Sequence, residues 1–492
     1  MCYMHTLYLT TAIRDKHGLM RFTDSYQMNY RLTGYDLCRE KELRFRVIYI
    51  YMRKMIFLVS ILIVVTVGVG IVWKVSHEVL ENYIIGKEYL VLLQNNMELR
   101  PSGGFMGSFA TVKFGDLPQD WIKKMTISVE DIYEPDGKLD GHVEPPYPVQ
   151  EAFGQGWWKL RDANWDVDYA SAAAAVDWFM SHSGRKSVDG VVAINQSTVN
   201  QIIGILGPIK LETYDEVITD KNFYQLAQRY AEVGGDKRGF LGMVGVRLID
   251  ELRAIKLIKL MKLIKLIKDE LNNGQILVWM KDPELQKIAE KMKWAGRLTQ
   301  GWNGEDDYLY IVESNLGTNK ANCCVKRMIT HEINSHDEHV IINWENNNEF
   351  EIPRPPVFWG GDYRDYVRIV IPASHKLQAI KLQDRELRAA TLADFAIPNS
   401  LRQGMSEDMY VIEQRGDLQI IGFWAVVPAQ ETVTAEVSYT SPPAPLLRNE
   451  RGEGVRIFVR RQPGMESFAY KLIVEGKIEA DVTIDRDTVI SR

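Results

Sequence analysis

The chain has 492 residues, 46% of them apolar and 25% charged, which is room for two or three domains with cores of their own. A net charge of −6 and the absence of a long basic tract exclude a general attraction to nucleic acid, so no nucleic-acid partner is expected.

Residues 1–54 read as a cytoplasmic tail. The first 51 show no clear period. "MRKMIFLV", beginning at Met52, has the form of a natural start, which would make the stretch before it a poorly ordered tail or an over-extended beginning. Residues 55–73, "MIFLVSILIVVTVGVGIVW", are 19 positions without a charge. At ~1.5 Å per residue a helix of that length approaches the ~30 Å hydrocarbon layer of a bilayer. Arg44, Arg46, Arg53 and Lys54 precede it, and the excess of basic residues on that side puts the N-terminus in the cytoplasm and everything after about residue 75 outside. No small-residue cleavage site ends the run, so the expectation is a single-pass, uncleaved anchor in the cytoplasmic membrane.

Beyond the anchor, "GKEYLVLLQNN" (86–96), "GSFATVKFGD" (107–116) and "KKMTISVEDIY" (123–133) read as strands, followed by an irregular loop rich in Gly, Pro and acids. "DYASAAAAVDWFMSHSG" (168–184) predicts an Ala-rich helix ending at a glycine, and "SVDGVVAIN" (187–195) a buried strand. "QSTVNQIIGILGPIKL" continues as helix, turn and strand. This alternation defines an α/β (α+β) domain over residues 82–300. Within it, "IKLIKLMKLIKLIK" (255–268) places lysines at 256, 259, 262, 265 and 268, a three-residue step that drifts around a helix, as on a long solvated helix. Asp282 and Pro283 mark a helix start and Gly296 its stop. From 306 to 485 short strand-like runs separated by turn residues predict an all-β, sandwich-like module. Of the four cysteines, Cys2 and Cys38 fall in the tail, while the adjacent Cys323 and Cys324 read as two half-buried, unbridged residues of a strand.

Three constellations could carry chemistry. In "NNMELRPSGGFMG", Gly103, Gly104 and Gly107 would let backbone amides approach an anion, with Arg100 as a bidentate donor. No Lys-Ser/Thr follows, so it is not a nucleotide loop. A tight turn in which Arg100 pairs with Glu98 is the competing reading, and spacing alone favours it. In "LRDANWDVDY", Asp162, Asn164, Asp166 and Asp168 offer oxygens at alternate positions, as calcium loops do, yet the central Gly and terminal Glu of such loops are missing. The same residues could instead cap the Ala-rich helix, with Asp168 near its N-cap. Asp131, Asp136 and Asp140 could complete a divalent site for Mg2+ or Ca2+. In "GGDKRGF", Lys237 and Arg238 could hold phosphate or be ordinary helix-start charge. His331, His336 and His339 gather in an apparent hairpin turn, a weak basis for a metal site. Ser183 and Lys186 match a penicillin-binding pattern that nothing else completes.

Taken in order, "LLQNNMELRPSGGFMGSFATVKF", "EDIYEPDGKLDGHVEPP", "LRDANWDVDYASAA", "VDGVVAIN", "DPELQKIAEKMKWAGRL", "YLYIVESNLGTNKAN" and "GGDYRDYVRIVIP" make residues 86–475 resemble a bacterial membrane-anchored family that carries a domain of unknown function numbered four-thousand-and-twelve. Its α/β part is distantly similar to the LytR-CpsA-Psr envelope proteins, which transfer polymers from polyprenyl-pyrophosphate carriers to the cell wall. The resemblance implies a LytR-CpsA-Psr-like extracytoplasmic domain. Arg100 stands at a pyrophosphate-contacting arginine, Asp131 at a metal-side acid, and Lys237 and Arg238 near a late arginine. Where those transferases carry Arg-x-Asp-Thr this chain has Gly-Gly-Phe-Met, and Ser128-Val129-Glu130-Asp131 replaces Ile-Pro-Arg-Asp, so two anion ligands are missing. The expectations are therefore a phosphotransferase or binder of polyprenyl-phosphate glycan or peptidoglycan, with Arg100 and Asp131 in catalysis, a non-catalytic envelope glycan-binding or assembly protein, or a plain structural anchor.

Overall fold

A computed structural model describes residues 6–14, 20–29, 85–117, 124–154, 156–352, 359–396, 406–442 and 456–491. The expected anchor at 55–73 lies outside the described residues, and no helix among the described residues is long and apolar enough to cross a membrane. In the tail, β1 (Thr6–Arg14) and β2 (Met20–Asn29) pair as an antiparallel hairpin, a unit by itself, although no period in the sequence pointed to strands there.

The remaining chain is built on a five-stranded sheet with β3 (Glu88–Asn95) at its centre. β3 pairs with β4 (Phe105–Lys113) antiparallel and with β6 (Gly190–Asn195) parallel. β5 (Thr126–Asp131) and β9 (Ile276–Met280) form the edges. A small hairpin, β7 (Ile209–Leu211) with β8 (Glu216–Ile218), stands apart. Leu90, Leu92, Val191 and Ala193 share one face and pack on Val176, Phe179 and Met180 of α1 (Tyr169–His182). The alternate residues face the other side, where α2 (Gln196–Leu206), α3 (Phe223–Glu232), α4 (Lys237–Arg253) and α5 (Leu257–Asn272) gather, with Ile203, Phe223, Phe240 and Val244 in a common cluster. Helix starts follow local chemistry: the Asp168 carboxylate accepts from the Ser171 amide at 3.2 Å, and Asp282 accepts from the Glu284 and Leu285 amides before α6 (Pro283–Lys291). On α5, Leu260, Leu263 and Ile267 make the buried stripe and all five lysines from Lys256 to Lys268 are exposed.

From residue 307 the chain runs through β10 (Asp307–Val312), β11 (Val325–Asn334), β12 (Asp337–Asn346), β13 (Tyr363–Pro372), β14 (Lys376–Leu382), β15 (Arg385–Glu386), β16 (Arg388–Ala389), β17 (Met409–Arg415), β18 (Leu418–Val427), β19 (Thr432–Thr440), β20 (Arg456–Arg460), β21 (Phe468–Val474), β22 (Lys477–Ile484) and β23 (Thr488–Ser491). They form two seven-stranded sheets, in the orders β16-β17-β18-β13-β10-β20-β23 and β15-β14-β19-β12-β11-β21-β22. Inward residues of both, among them Leu309, Ile369 and Ile421 from one and Ile329, Ile342 and Val437 from the other, make a single core, as in a sandwich. Cys323 and Cys324 precede β11 at the end of a 3-10 turn, 3.8 Å apart at Cα, and are joined as a disulfide, which corrects their reading as unbridged strand residues.

The change of architecture near residue 300 is not a physical separation. Leu99, from the loop between β3 and β4, sits in the sandwich core. The Leu99 amide donates to Asn322 at 2.9 Å, the Asn315 amide donates to the Leu99 carbonyl at 3.0 Å, and Gln462 bridges the carbonyls of Arg100 and Glu313.

Candidate functional site

The loop that follows β3 decides what its arginine and glycines do. Phe105 donates its amide to the Glu98 carbonyl at 2.8 Å and Gly103 to the Arg100 carbonyl at 2.9 Å, closing a tight turn. Arg100 is only 2% exposed. Its Nη1 donates to the carbonyls of Leu99 and Asn315, its Nη2 to Glu98 Oε1 at 3.1 Å, and Phe105 lies against the guanidinium. The turn reading, with Arg100 paired to Glu98, is the arrangement found. Gly103 (φ +138°) is pressed against Asn195 and Gln94, and Gly104 against the Asn95 carbonyl, so that a methyl group at either would overlap them. Gly464 in turn seats directly on the Gly103 carbonyl. These two glycines, expected as anion ligands, serve close packing and do not border the cavity described next.

A cavity of about 580 Å³ opens where β3 and β6 end. The carboxyl ends of parallel strands are where open α/β sheets place ligands. Phe223, Ala227 and Ala231 of α3 and Leu241 of α4 supply an apolar wall. The rest of the lining is largely charged and internally paired. Arg161 meets Asp136 at 2.7 Å and Asp162 at 3.7 Å, while Arg100 stands 4.0 Å from Asp162. Lys237 donates to the Gly107 carbonyl at 2.6 Å and stands 3.4 Å from Asp131. Lys320 reaches in from the sandwich, 3.3 Å from Glu232. Arg238, one step further round α4, points away to the exposed Glu134 and does not line the cavity.

The predicted divalent set of Asp131, Asp162, Asp166 and Asp168 does not converge. Asp131 and Asp162 line the cavity, but Asp166 pairs with Arg415 of β17 at 2.5 Å, and Asp168 caps α1 and pairs with Arg297 at 3.0 Å. Side chains at alternate positions of a capping turn face different neighbours, so the spacing of a calcium loop is present without its centre. Among the described residues, the group of His, Cys, Asp and Glu side chains close enough to share an ion is Asp307, His331 and Glu338, inside the sandwich. The histidine trio is split by strand alternation. His331 faces inward, while His339 lies on the outer face at 3.0 Å from Glu436.

Burial pushes the Asp162 carboxyl up to about 6, against the pull of Arg100 and Arg161, and burial also raises Glu98. A folded-state value above the ordinary 3.8 means that between the two the folded chain keeps a proton the unfolded chain has lost. Stability therefore falls as pH rises through that window. Asp162→Asn removes this dependence: relative to the variant, the parent protein is expected to lose roughly 2–3 kcal/mol between about pH 4 and about pH 7 in chemical denaturation.

Arg161 and Asp162 were visible in sequence as part of an acidic turn. The apolar wall was legible only as ordinary helix, and Lys320 carries no local signal at all, because its role comes from the sandwich folding back over the sheet.

Fold and cavity together define an α/β domain with an amphiphilic cavity that Thr318 and Lys320, from the start of the β-sandwich module, also border. Residues 86–231 match the model of a family described as a protein of unknown function (DUF4012). No curated protein matches the chain. Among solved structures, the crystal structure of TagV from B. subtilis is similar at 13% identity over 43% of this chain and 80% of that one, with a TM-score of 0.26. The transcriptional regulator yvhJ from Bacillus subtilis is similar at 11% identity over 43% of this chain and 98% of that one, with a TM-score of 0.21. Scores that low leave the site to be read from its own residues.

Proposed function

We propose that the cavity binds a polyprenyl-phosphate or polyprenyl-pyrophosphate glycan, in a protein held at the cytoplasmic membrane by residues 55–73 with its bulk on the outer side. The observation that carries this reading is the pairing, in one cavity, of an apolar helix wall with Arg161, Lys237 and Lys320. A polyprenyl chain would lie along Phe223, Ala227 and Leu241, and its phosphate would replace carboxylates as partner of the cations. Asp131, next to Lys237, is the acid that would hold a Mg2+ or Ca2+. In that role the ion would screen the phosphate charge from the carboxylates around it.

Binding without transfer is the reading we favour over catalysis. Arg100 already commits three of its five donors to Glu98 and two backbone carbonyls and has its charge answered by Glu98, which leaves it poorly placed to stabilise charge developing on phosphoryl oxygens. The test titrates full-length protein in detergent with farnesyl pyrophosphate and with inorganic pyrophosphate, with and without Mg2+. Lys237→Ala is expected to weaken both by about tenfold, and Leu241→Asp to weaken only the prenylated ligand. Absence of prenyl pyrophosphate binding, or a Lys237→Ala protein that binds like the parent, removes the proposal. Turnover of a lipid-linked glycan onto a hydroxyl acceptor would reinstate transfer.

A further inference from the structure

Inward positions of β11 and β12 carry side chains that do not belong in an apolar core. His331 lies in phase with Ile329 and Ile333, and Glu338 in phase with Val340 and Ile342. Asp307 opens β10 in the facing sheet, and His375 sits in the turn between β13 and β14, where the chain crosses from one sheet to the other. All four are at most 5% exposed.

We propose that Asp307, His331, Glu338 and His375 form a zinc site that staples the two sheets of the sandwich together. Glu338 Oε2 is 3.0 Å from His331 Nε2, and Glu338 Oε1 is 3.6 Å from His375 Nε2, which is itself 3.4 Å from Asp307 Oδ1. Tetrahedral zinc with Zn–N and Zn–O bonds of about 2.0–2.2 Å separates its ligand atoms by about 3.3 Å, the middle of this range. The Asp307, His331 and Glu338 ligand atoms all lie within 4.8 Å of one another.

A second observation points to the same ion. Neither ring nitrogen of the buried His375 makes a hydrogen bond of good geometry, and its Nε2 faces two carboxylates, Asp307 at 3.4 Å and Glu338 at 3.6 Å, both longer than the usual N–H···O distance. Set between the two carboxylates of the Asp307, His331 and Glu338 group, the His375 imidazole is the side chain that would close onto an ion held there as its fourth ligand. His331 is oriented for it: with Nε2 on the metal, its Nδ1–H donates to the Tyr470 hydroxyl, 3.1 Å away, the outer partner that metal-binding histidines usually have. Two imidazoles with two carboxylates select zinc over Mg2+ or Ca2+, which take oxygen ligands. With Tyr439 and Tyr470 beside it and no solvent face, the site is of the closed, structural kind.

The experiment uses the full-length chain purified without a metal-affinity tag, stripped with chelator and titrated with Zn2+ alone. The expected result is one zinc bound per chain, with a rise in melting temperature on loading. His375→Gln and His331→Gln are each expected to lower zinc affinity by more than ~100-fold. Because a ligand variant could fail to fold, Co2+ is also bound to the parent protein, where the strong visible absorption of tetrahedral cobalt is expected. Folded parent protein that takes up no zinc, ligand variants that bind like the parent, or the weak spectrum of octahedral cobalt would each overturn the proposal.

Discussion

Arg100→Ala is expected to destabilise the folded protein by about 3–5 kcal/mol, the usual result of removing one partner from a buried ion pair. The guanidinium answers Glu98 at 3.1 Å and stands 4.0 Å from Asp162, whose side chains are 12% and 4% exposed. It also satisfies the carbonyls of Leu99 and Asn315. Alanine leaves the Asn315 carbonyl and the Glu98 carboxylate without this donor, while the Leu99 carbonyl keeps the Asn315 amide, and the desolvation of the first two is then uncompensated. Because Asn315 belongs to the sandwich and Leu99 is buried in its core, the loss also loosens the junction between sheet and sandwich. The midpoint and slope of urea unfolding measure it, and a variant within 1 kcal/mol of the parent would show that the pair is solvated. A consequence for ligand studies is that lost binding in Arg100→Ala does not identify Arg100 as a ligand, whereas the half-buried Lys237 is a cleaner probe.

Arg327→Ala should cost a similar amount, about 3–5 kcal/mol, from within the sandwich. Glu313, 1% exposed, is the centre of a closed network. Arg327 Nε donates to both its oxygens, at 2.7 and 2.8 Å, its Nη2 lies at 2.6 Å, Trp344 Nε1 donates at 2.9 Å, and the Tyr363 hydroxyl donates as well. Without Arg327 the carboxylate keeps two neutral donors and no countercharge. The burden is greater because Asp365 is also buried nearby, with its carboxyl pushed well above the ordinary range by burial and then by the Glu313 charge. Pairing Arg327→Met with Glu313→Gln removes both charges, and this double variant is expected to recover part of the loss. A double-mutant cycle on denaturation midpoints gives the coupling. An additive cycle would mean that the two side chains act independently.

Both predictions turn on long-range partners, and the same distinction separates what could be read along the chain from what could not. The strands β3, β4 and β6, the caps at Asp168 and Asp282, and the shift to short strands after residue 306 were all legible. Each depends on side chains within a turn or a strand's length of one another, where periodicity and capping chemistry act. The acidic turn shows the limit of that logic. Asp162, Asp166 and Asp168 have ligand-like spacing, yet their partners are Arg161, Arg415 and Arg297, and two of these three arrive from more than a hundred residues away.

By itself the sequence determined an apolar run at 55–73, a strand-and-helix domain followed by a strand-rich module, and a glycine turn bearing one arginine. Only the tertiary structure decided what that turn is for. Asn315, Gln462 and Gly464 close over it from the sandwich, so Arg100 becomes a buried tie and Gly103 and Gly104 become packing positions. The cavity beside it, and the His331–Glu338–His375–Asp307 cluster, exist for the same reason. Side chains in phase with an apolar stripe look like isolated exceptions along the chain, and become a site only when facing sheets bring them to one point.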